Sequence, residues 1–291
     1  MSDSVLSSDR RRRPSGCRCC GCLLLTLPLL FTLALWWEAR PVHLTQSVIE
    51  IPGLPQEFDG LRLAFLADIH RGPFMSEARI AKVVMSVDKA RPDVIGLGGD
   101  YVHRSKRYIP SVWRELGALR APLGVYGVLG NHDYWESKDL SLKAMAHAGV
   151  VNLTNRNVPL ERNGKRIFIA GVDDFWAGKP DLEAALKGIP EDGVAIVLCH
   201  NPDYIEEQTD FRAKLWLSGH THGGQVCLPG GRPFIHPSKC GLRYIAGLAT
   251  CEGMQIYISR GVGTVTPPWR LNCPAEVPII ELRAAPKFVT P

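Results

Sequence analysis

Six short polar clusters hold the residues of this 291-residue chain whose types and spacing could do chemistry. They are Asp68-Ile69-His70, Gly99-Asp100, Gly130-Asn131-His132-Asp133, Cys199-His200-Asn201, Gly219-His220-Thr221-His222 and the Gly223-Gly224 that follows. Each stands where an apolar run ends. Singly they say little. Asp68-x-His70 alone reads as a turn with a surface histidine, Asn131-His132-Asp133 as another turn, and His200 as a hydrogen-bonded core imidazole. Gly219-His220-x-His222 says more, because the glycines around it let backbone approach closely. Jointly, and in this order, the clusters offer carboxylate, imidazole and amide groups. That mixture provides for two divalent cations, suits Mn²⁺, Fe or Zn²⁺, and leaves out thiolate-only metals. Two such cations about 3.5–4 Å apart lower the pKa of a shared water and clamp the oxygens of a phosphoryl group. Cys199 reads as a small buried residue rather than a ligand, and Asp173-Asp174 as a turn rather than a third metal site.

The elements that must position these groups alternate between strand and helix. The apolar run 61–67 ends at Asp68, the run 94–97 at Gly98-Gly99-Asp100, and the run 124–129 at Gly130-Asn131. Between them, the spacing of Ile80, Val83, Val84 and Val87 predicts a helix over 76–90 with Ser76 as its cap. Residues 109–119 and 140–148 read as two more helices, and 166–172, 195–199 and 214–218 as further strands. Asp68 and His70, two apart on a strand end, would share a face. Polar residues at strand C-termini line a site along one edge of a sheet. The last third has short runs at 254–258 and 277–282 among Gly and Pro turns, which suggests a second sheet packed on the first. The expectation is one α/β domain over residues 42–285, with two packed mixed sheets flanked by helices.

Together the clusters resemble the signature of the calcineurin-like metallophosphoesterase superfamily: D-x-H, G-D, G-N-H-[DE], H and G-H-x-H, over about residues 60–283. The resemblance implies a four-layer α/β/β/α fold and binuclear metal-dependent hydrolysis of phosphoesters. It assigns Asp68, His70 and His222 to one metal and Asn131, His200 and His220 to the other. Asp100 would bridge the two, with Mn²⁺ as the first expectation. His132 takes the place of a non-ligand histidine that stabilises developing charge or protonates the leaving oxygen, with Asp133 to orient its ring. His103 departs from the pattern, since many relatives carry an acid there. Arg71 is a candidate contact for a substrate phosphate or else covers the surface, and Arg260 and Arg270 are candidates for a phosphate or lipid headgroup, with structural salt bridges as the default. Residues 219–225, Leu228-Pro229-Gly230-Gly231 and 259–264 with Pro268 and Arg270 are similar to a narrower, membrane-anchored bacterial branch. That branch includes chlamydial-type UDP-2,3-diacylglucosamine diphosphatases of lipid A synthesis, and so implies a nucleotide-lipid substrate.

The net charge of +5 is unevenly placed. Arg10, Arg11, Arg12, Arg13 and Arg18 against Asp3 and Asp9 give residues 1–21 a charge of +3. The body is then only about +2, too weak for the footprint of a nucleic-acid binder, so no nucleic acid is expected as a partner. After the basic tail, residues 1–18, comes an uncharged apolar stretch from Cys19 to Trp37 that as a helix would rise about 28 Å. Trp36-Trp37 sit where an interfacial anchor would. The stretch reads as a single-pass anchor in a bacterial inner membrane or as a cleaved signal peptide. Trp36, Trp37 and Glu38, where a small-x-small site would be needed, favour the anchor and hence a phospholipid membrane as partner. The arginine excess places the domain outside, whereas lipid A precursors are processed inside. A helix lying in the interface, or an external wall or lipid phosphate as substrate, would reconcile the two. Of nine cysteines, four (Cys17, Cys19, Cys20, Cys22) cluster at the membrane edge. The rest show no paired spacing, so neither a zinc ribbon nor a disulfide framework is indicated.

Overall fold

Alternating apolar residues along short strands build two sheets. A computed structural model describes residues 18–285, without the side chains at the start of the first helix. The basic tail ahead of Arg18 lies outside the described residues. In chain order the elements are α1 (Arg18–Glu38), β1 (Val42–Pro52), β2 (Leu61–Leu66), α2 (Glu77–Ala90), β3 (Val94–Leu97), α3 (Ile109–Leu116), β4 (Val125–Gly127), α4 (Asn131–His147) and β5 (Val151–Asn152). There follow β6 (Arg156–Arg162), β7 (Lys165–Gly171), α5 (Leu182–Ala185), β8 (Ala195–Leu198), β9 (Ala213–Ser218), β10 (Gly247–Cys251), β11 (Met254–Ile258) and β12 (Ala275–Ala285).

The first sheet runs β1-β12-β2-β3-β4-β5 and is parallel except where β12 meets β2. The second runs β10-β11-β9-β8-β7-β6 and is antiparallel only at its two outer pairs. The pleat sorts side chains by layer. Leu61, Leu63 and Phe65 of β2 meet Ile196 and Leu198 of β8 and Leu215 and Leu217 of β9 between the sheets. The intervening Ala64 and Leu66 pack against Ile80 and Val84 of α2 and Val112 and Trp113 of α3. On the far side Val197, Trp216 and Ile256 are covered by Leu182 and Ala185 of α5 together with Tyr204 and Tyr244. The result is a helix–sheet–sheet–helix stack, with α2 capped as expected by Ser76, whose hydroxyl accepts from Arg79 N at 3.3 Å.

Two placements differ from the sequence reading. The C-terminal runs do not form a sheet of their own. β11 joins the second sheet, and β12 inserts between β1 and β2 of the first, where Ile280 and Leu282 complete the inter-sheet core. The helix expected from residue 140 begins at Asn131 and carries a kink at Ser137, whose φ of 179° and ψ of 102° break the helical path. At the other end of the chain, α1 is tied to the body by its C-terminus. The Leu35 carbonyl accepts from Arg270 N at 3.2 Å, and Arg79 Nη2 donates to Ala39 O at 3.0 Å and Arg40 O at 2.9 Å. Leu29, Leu30, Phe31, Leu33 and Trp37 of α1 are exposed. Among the described residues, no helix is long and apolar enough to cross a membrane.

Candidate metal centre

The parallel strands β2, β3 and β4 of one sheet and β8 and β9 of the other each release a polar cluster just past their C-termini, the usual place for a site in an open α/β sheet. The backbone there is unusual. Asp68, His70, Asp100, His220 and His222 all have left-handed φ, between 48° and 68°. For residues with a Cβ this costs of order 1–3 kcal/mol each and persists only when the surroundings impose it. The surroundings are explicit: Asp68 N donates to Gly99 O and His70 N to Asp100 O, both at 3.0 Å, while Gly263 N donates to Asp68 O at 2.7 Å. Asp68 and His70 therefore converge through two left-handed turns and not through the strand pleat that the sequence suggested. The glycines of the clusters are there for close approach. A Cβ on Gly99 would meet Gly130 N at 2.5 Å, and one on Gly130 would strike the Asp100 carboxylate.

All seven expected ligand residues come together, each buried. His70 Nε2 lies 2.9 Å from His222 Nε2, with the rings stacked. His222 Nε2 is 3.6 Å from Asp68 Oδ1. Asp100 Oδ2 stands 3.2 Å from His200 Nε2 and 3.6 Å from His70 Nε2, between the two halves of the cluster. On the far half, His220 Nδ1 is 3.1 Å from Asn131 Oδ1. His200 Nδ1 lies 2.7 Å from Gly98 O. A proton on that nitrogen leaves the Nε2 lone pair facing Asp100, the orientation that a backbone carbonyl imposes on ligand imidazoles.

Charge and burial show whether these groups fit metal ions. Burial holds the imidazoles of His70 and His222 neutral, with pKa values well below the ordinary histidine range. Burial also pushes His220 down to about 3. Two neutral rings whose Nε2 atoms face each other at 2.9 Å share a hydrogen bond, and with the proton moved to Nδ1 on each ring both would present lone pairs to the same point. Burial opposes the imidazolium of His200 as well, yet the carboxylates of Asp100, Asp68 and Asp174 raise it to about 10. In the metal-free protein this proton supplies the positive charge that the carboxylates call for. Burial, and the neighbouring Asp100 carboxylate, raise Asp68 to about 7. Asp68, His70 and His222 form one group with ligand atoms within 4.8 Å of one another, and Asp68, Asp100 and His200 another. Buried acids, the neutral imidazoles of His70, His220 and His222, and a buried ring nitrogen without a hydrogen-bond partner at His220 Nε2 suit divalent cations.

His132 lines the cavity over this cluster, half-buried, with its ring edge-on to His70 at 4.8 Å. The expected role of Asp133 in orienting that ring is corrected by its contacts. Its carboxylate accepts from Asp100 N (2.8 Å), Gly130 N (3.0 Å) and Tyr101 N (3.0 Å), and is wholly buried. Asp133 braces the two loops that carry Asp100 and Asn131. The three arginines also have other tasks, and none lines the cavity. The guanidinium of Arg270, 1% exposed, donates to the carbonyls of Arg260, Gly263 and Cys273 at 2.7, 2.7 and 3.0 Å. Arg260 pairs with Glu276 at 2.6 Å. Arg71 is bound by Ser111, Glu77 and two carbonyls. Asp173-Asp174 leads into a turn over residues 175–177, whose Trp176 and Ala177 amides donate to Asp174. His103 Nε2 lies 3.2 Å from Thr266 Oγ1, its ring against both His70 and His132.

Sequence reasoning missed the aromatic frame. Trp135 stands edge-on to His132 at 4.7 Å, and Trp176 edge-on to His220 at 4.3 Å. Trp135 was within reach: it is three residues after His132, hence on the same face once α4 is seen to start at Asn131. Beyond these tryptophans a cavity of about 530 Å³ opens, walled by Phe234, Ile235, Pro237, Val265, Pro267 and Trp269.

Residues 61–224 match the family described as calcineurin-like phosphoesterase. The chain is 30% identical over 255 residues to the metallophosphoesterase YkuE of Bacillus subtilis, covering 86% of this chain and 89% of that one. It is 34% identical over 230 residues to the phosphodiesterase YaeI of Escherichia coli, covering 76% and 82%. A transmembrane protein with a metallophosphoesterase domain from Danio rerio is 30% identical over 276 residues, and this chain spans 62% of its length. The chain belongs to the calcineurin-like phosphoesterase family, which works with two metal ions. It is a hydrolase acting on phosphoester bonds.

Proposed function

We propose that the chain cleaves the phosphodiester or pyrophosphate bond of a membrane-associated amphiphile, with UDP-2,3-diacylglucosamine as the leading candidate and Mn²⁺ as the leading metal. The observation that supports this is the two-sided cavity, with ligand-type residues on one wall and Phe234, Ile235, Pro267 and Trp269 on the other. Asp68, His70 and His222 would hold one cation, Asn131, His200 and His220 the other, and Asp100 both. When bound, such a pair makes water nucleophilic at neutral pH and neutralises the phosphoryl oxygens.

The chain's own residues do the remainder. Gly98 O fixes the His200 tautomer, and Asp133 holds the Asp100 loop in place. His132 donates a proton or hydrogen bond to the leaving oxygen, and Trp135 and Trp176 exclude water beside the reacting phosphorus. The stretch 19–37 anchors the chain in a bacterial inner membrane. An extracytoplasmic phosphoesterase acting on wall or lipid phosphate is the second reading, favoured by the arginines ahead of that stretch.

The test is mass-spectrometric product analysis of UDP-2,3-diacylglucosamine incubated with full-length protein and Mn²⁺, with His200→Ala as control. UMP and a lipid monophosphate, both lost in the control, are the expected products. No cleavage alongside turnover of bis-p-nitrophenyl phosphate would overturn the substrate and keep the chemistry.

A further inference from the structure

The segment 225–246 departs from the rest of the surface. Leu228, Phe234, Ile235 and Leu242 stand out of it, Phe234 63% and Ile235 80% exposed. It carries three basic residues, Arg232, Lys239 and Arg243, and no acid. Arg243 is engaged by Glu206 at 2.6 Å, whereas Arg232 is exposed and makes no ion pair among the described residues. The tip is held in this shape by its own backbone. Leu228 N donates to Arg232 O at 2.8 Å, Gly231 N to Leu228 O at 3.0 Å and Phe234 N to Val226 O at 3.2 Å. Pro233 and Pro237 fix the chain on both sides of Phe234 and Ile235.

Position gives the second observation. Phe234 and Ile235 share the cavity rim with Pro267 and Trp269. The next residue, Arg270, is the one whose amide holds Leu35 of α1. The exposed apolar tip and the exposed apolar residues of α1 thus flank the same strip of backbone.

We propose that segment 225–246 is a lip that seats the catalytic domain on an anionic lipid bilayer, Phe234 and Ile235 entering the acyl boundary while Arg232 and Lys239 meet lipid phosphates. An apolar tip flanked by cations, with no acid, has the chemistry of an interfacial membrane contact. It differs from α1 in being part of the folded domain, and it places the mouth of the cavity at the headgroup level. The inference holds whether or not the substrate is a lipid.

The test uses full-length protein reconstituted into phosphatidylethanolamine–phosphatidylglycerol vesicles. A photoactivatable benzoylphenylalanine replaces Phe234 or, in a second protein, Leu228. Controls carry it at Phe211 and Met85, which are 52% and 58% exposed elsewhere on the domain. Protein floated with the vesicles is irradiated and analysed for lipid adducts. Adducts at Phe234 and Leu228 are expected at least about fivefold above those at Phe211 and Met85. Equal yields at all four positions, adducts joining two protein chains in place of lipid, or failure to float with the vesicles would each overturn the lip.

Discussion

The two walls of the cavity are built on opposite principles. On the metal wall, polar side chains are buried and five residues take left-handed backbone imposed by hydrogen bonds from neighbouring loops. On the facing wall, apolar side chains such as Ile235 stand in water, with Pro233 and Pro237 restricting the backbone on either side. The first wall tolerates strain because charge has to be aimed. The second tolerates exposure because something apolar has to be met. A wall that exists to aim charge fails when one donor is lost. A wall that exists for contact changes little in stability when its side chains are trimmed.

The largest effect expected is on the metal wall. Asp100→Ala and His200→Ala each remove a group from the centre of the cluster, and loss of turnover beyond about 10³-fold is expected, with loss of metal by elemental analysis. Near-normal rates would sink the ligand assignment. His132→Ala separates holding from reacting: metal content stays at the wild-type value while kcat falls by about 10²–10⁴. A fully active His132→Ala protein would leave that ring without a role.

Asp133→Ala comes next, because the walls depend differently on their braces. It strands the amides of Asp100, Gly130 and Tyr101 in the interior. At about 1–3 kcal/mol for each buried group left unpaired, this approaches the stability of a whole domain. Little soluble protein, or a large drop in Tm, is expected. A milder loss would mean that water reaches those amides.

How much of this was legible in the sequence follows the same division. The metal wall is written in short strings, because each ligand must sit at a strand end with a glycine for clearance, as at Gly99-Asp100 and Gly130-Asn131. The unbroken apolar run of strand β3 and the helical spacing of α2 are strong signals, and both elements lie within a residue of expectation. Sheet membership of β12 was not readable, because the run 277–282 has the same pattern whichever sheet it joins and only its partners decide. Asp133 misled because adjacency to His132 implied contact, whereas on a helix neighbouring residues point some 100° apart. The three arginines stay open in the sequence, which cannot say which guanidinium pairs with an acid, as Arg260 does, and which is enclosed by carbonyls, as Arg270 is. The apolar wall was the least legible, since its residues come from segments 135, 176, 225–237 and 265–269 with no shared period.

Acidity tests the metal wall more gently. In metal-free protein the His200 pKa is raised from 6.5 to about 10 by its carboxylate neighbours. Its contribution to stability is therefore full below pH 6.5 and is lost as pH rises through about 10. Asp68, raised from 3.8 to about 7 by burial, acts in the same direction between those values. Chelated protein is expected to show a falling Tm between pH 6.5 and pH 10. Mn²⁺, by displacing the His200 proton, should flatten that slope, and His200→Gln should flatten it without metal. A slope unchanged in His200→Gln would assign the dependence to other groups.

The smallest effect is expected on the apolar wall, and it is the most diagnostic of the comparison. Ile235 is 80% exposed and belongs to no core cluster. Replacing it by Ser removes apolar surface that folding never buried, so stability in solution should change by no more than about 0.5 kcal/mol. Phe58→Ala, a wholly buried side chain in the inter-sheet core, supplies the contrast, at about 3–5 kcal/mol. Urea melts of the two proteins would set the scale. If Ile235→Ser moved the midpoint by a large fraction of the Phe58→Ala shift, Ile235 would be packing against the domain in solution, and the second wall would be a piece of core. An unmoved midpoint leaves the side chain with no role in folding, and its exposure then has to be explained by what the cavity mouth meets outside the protein.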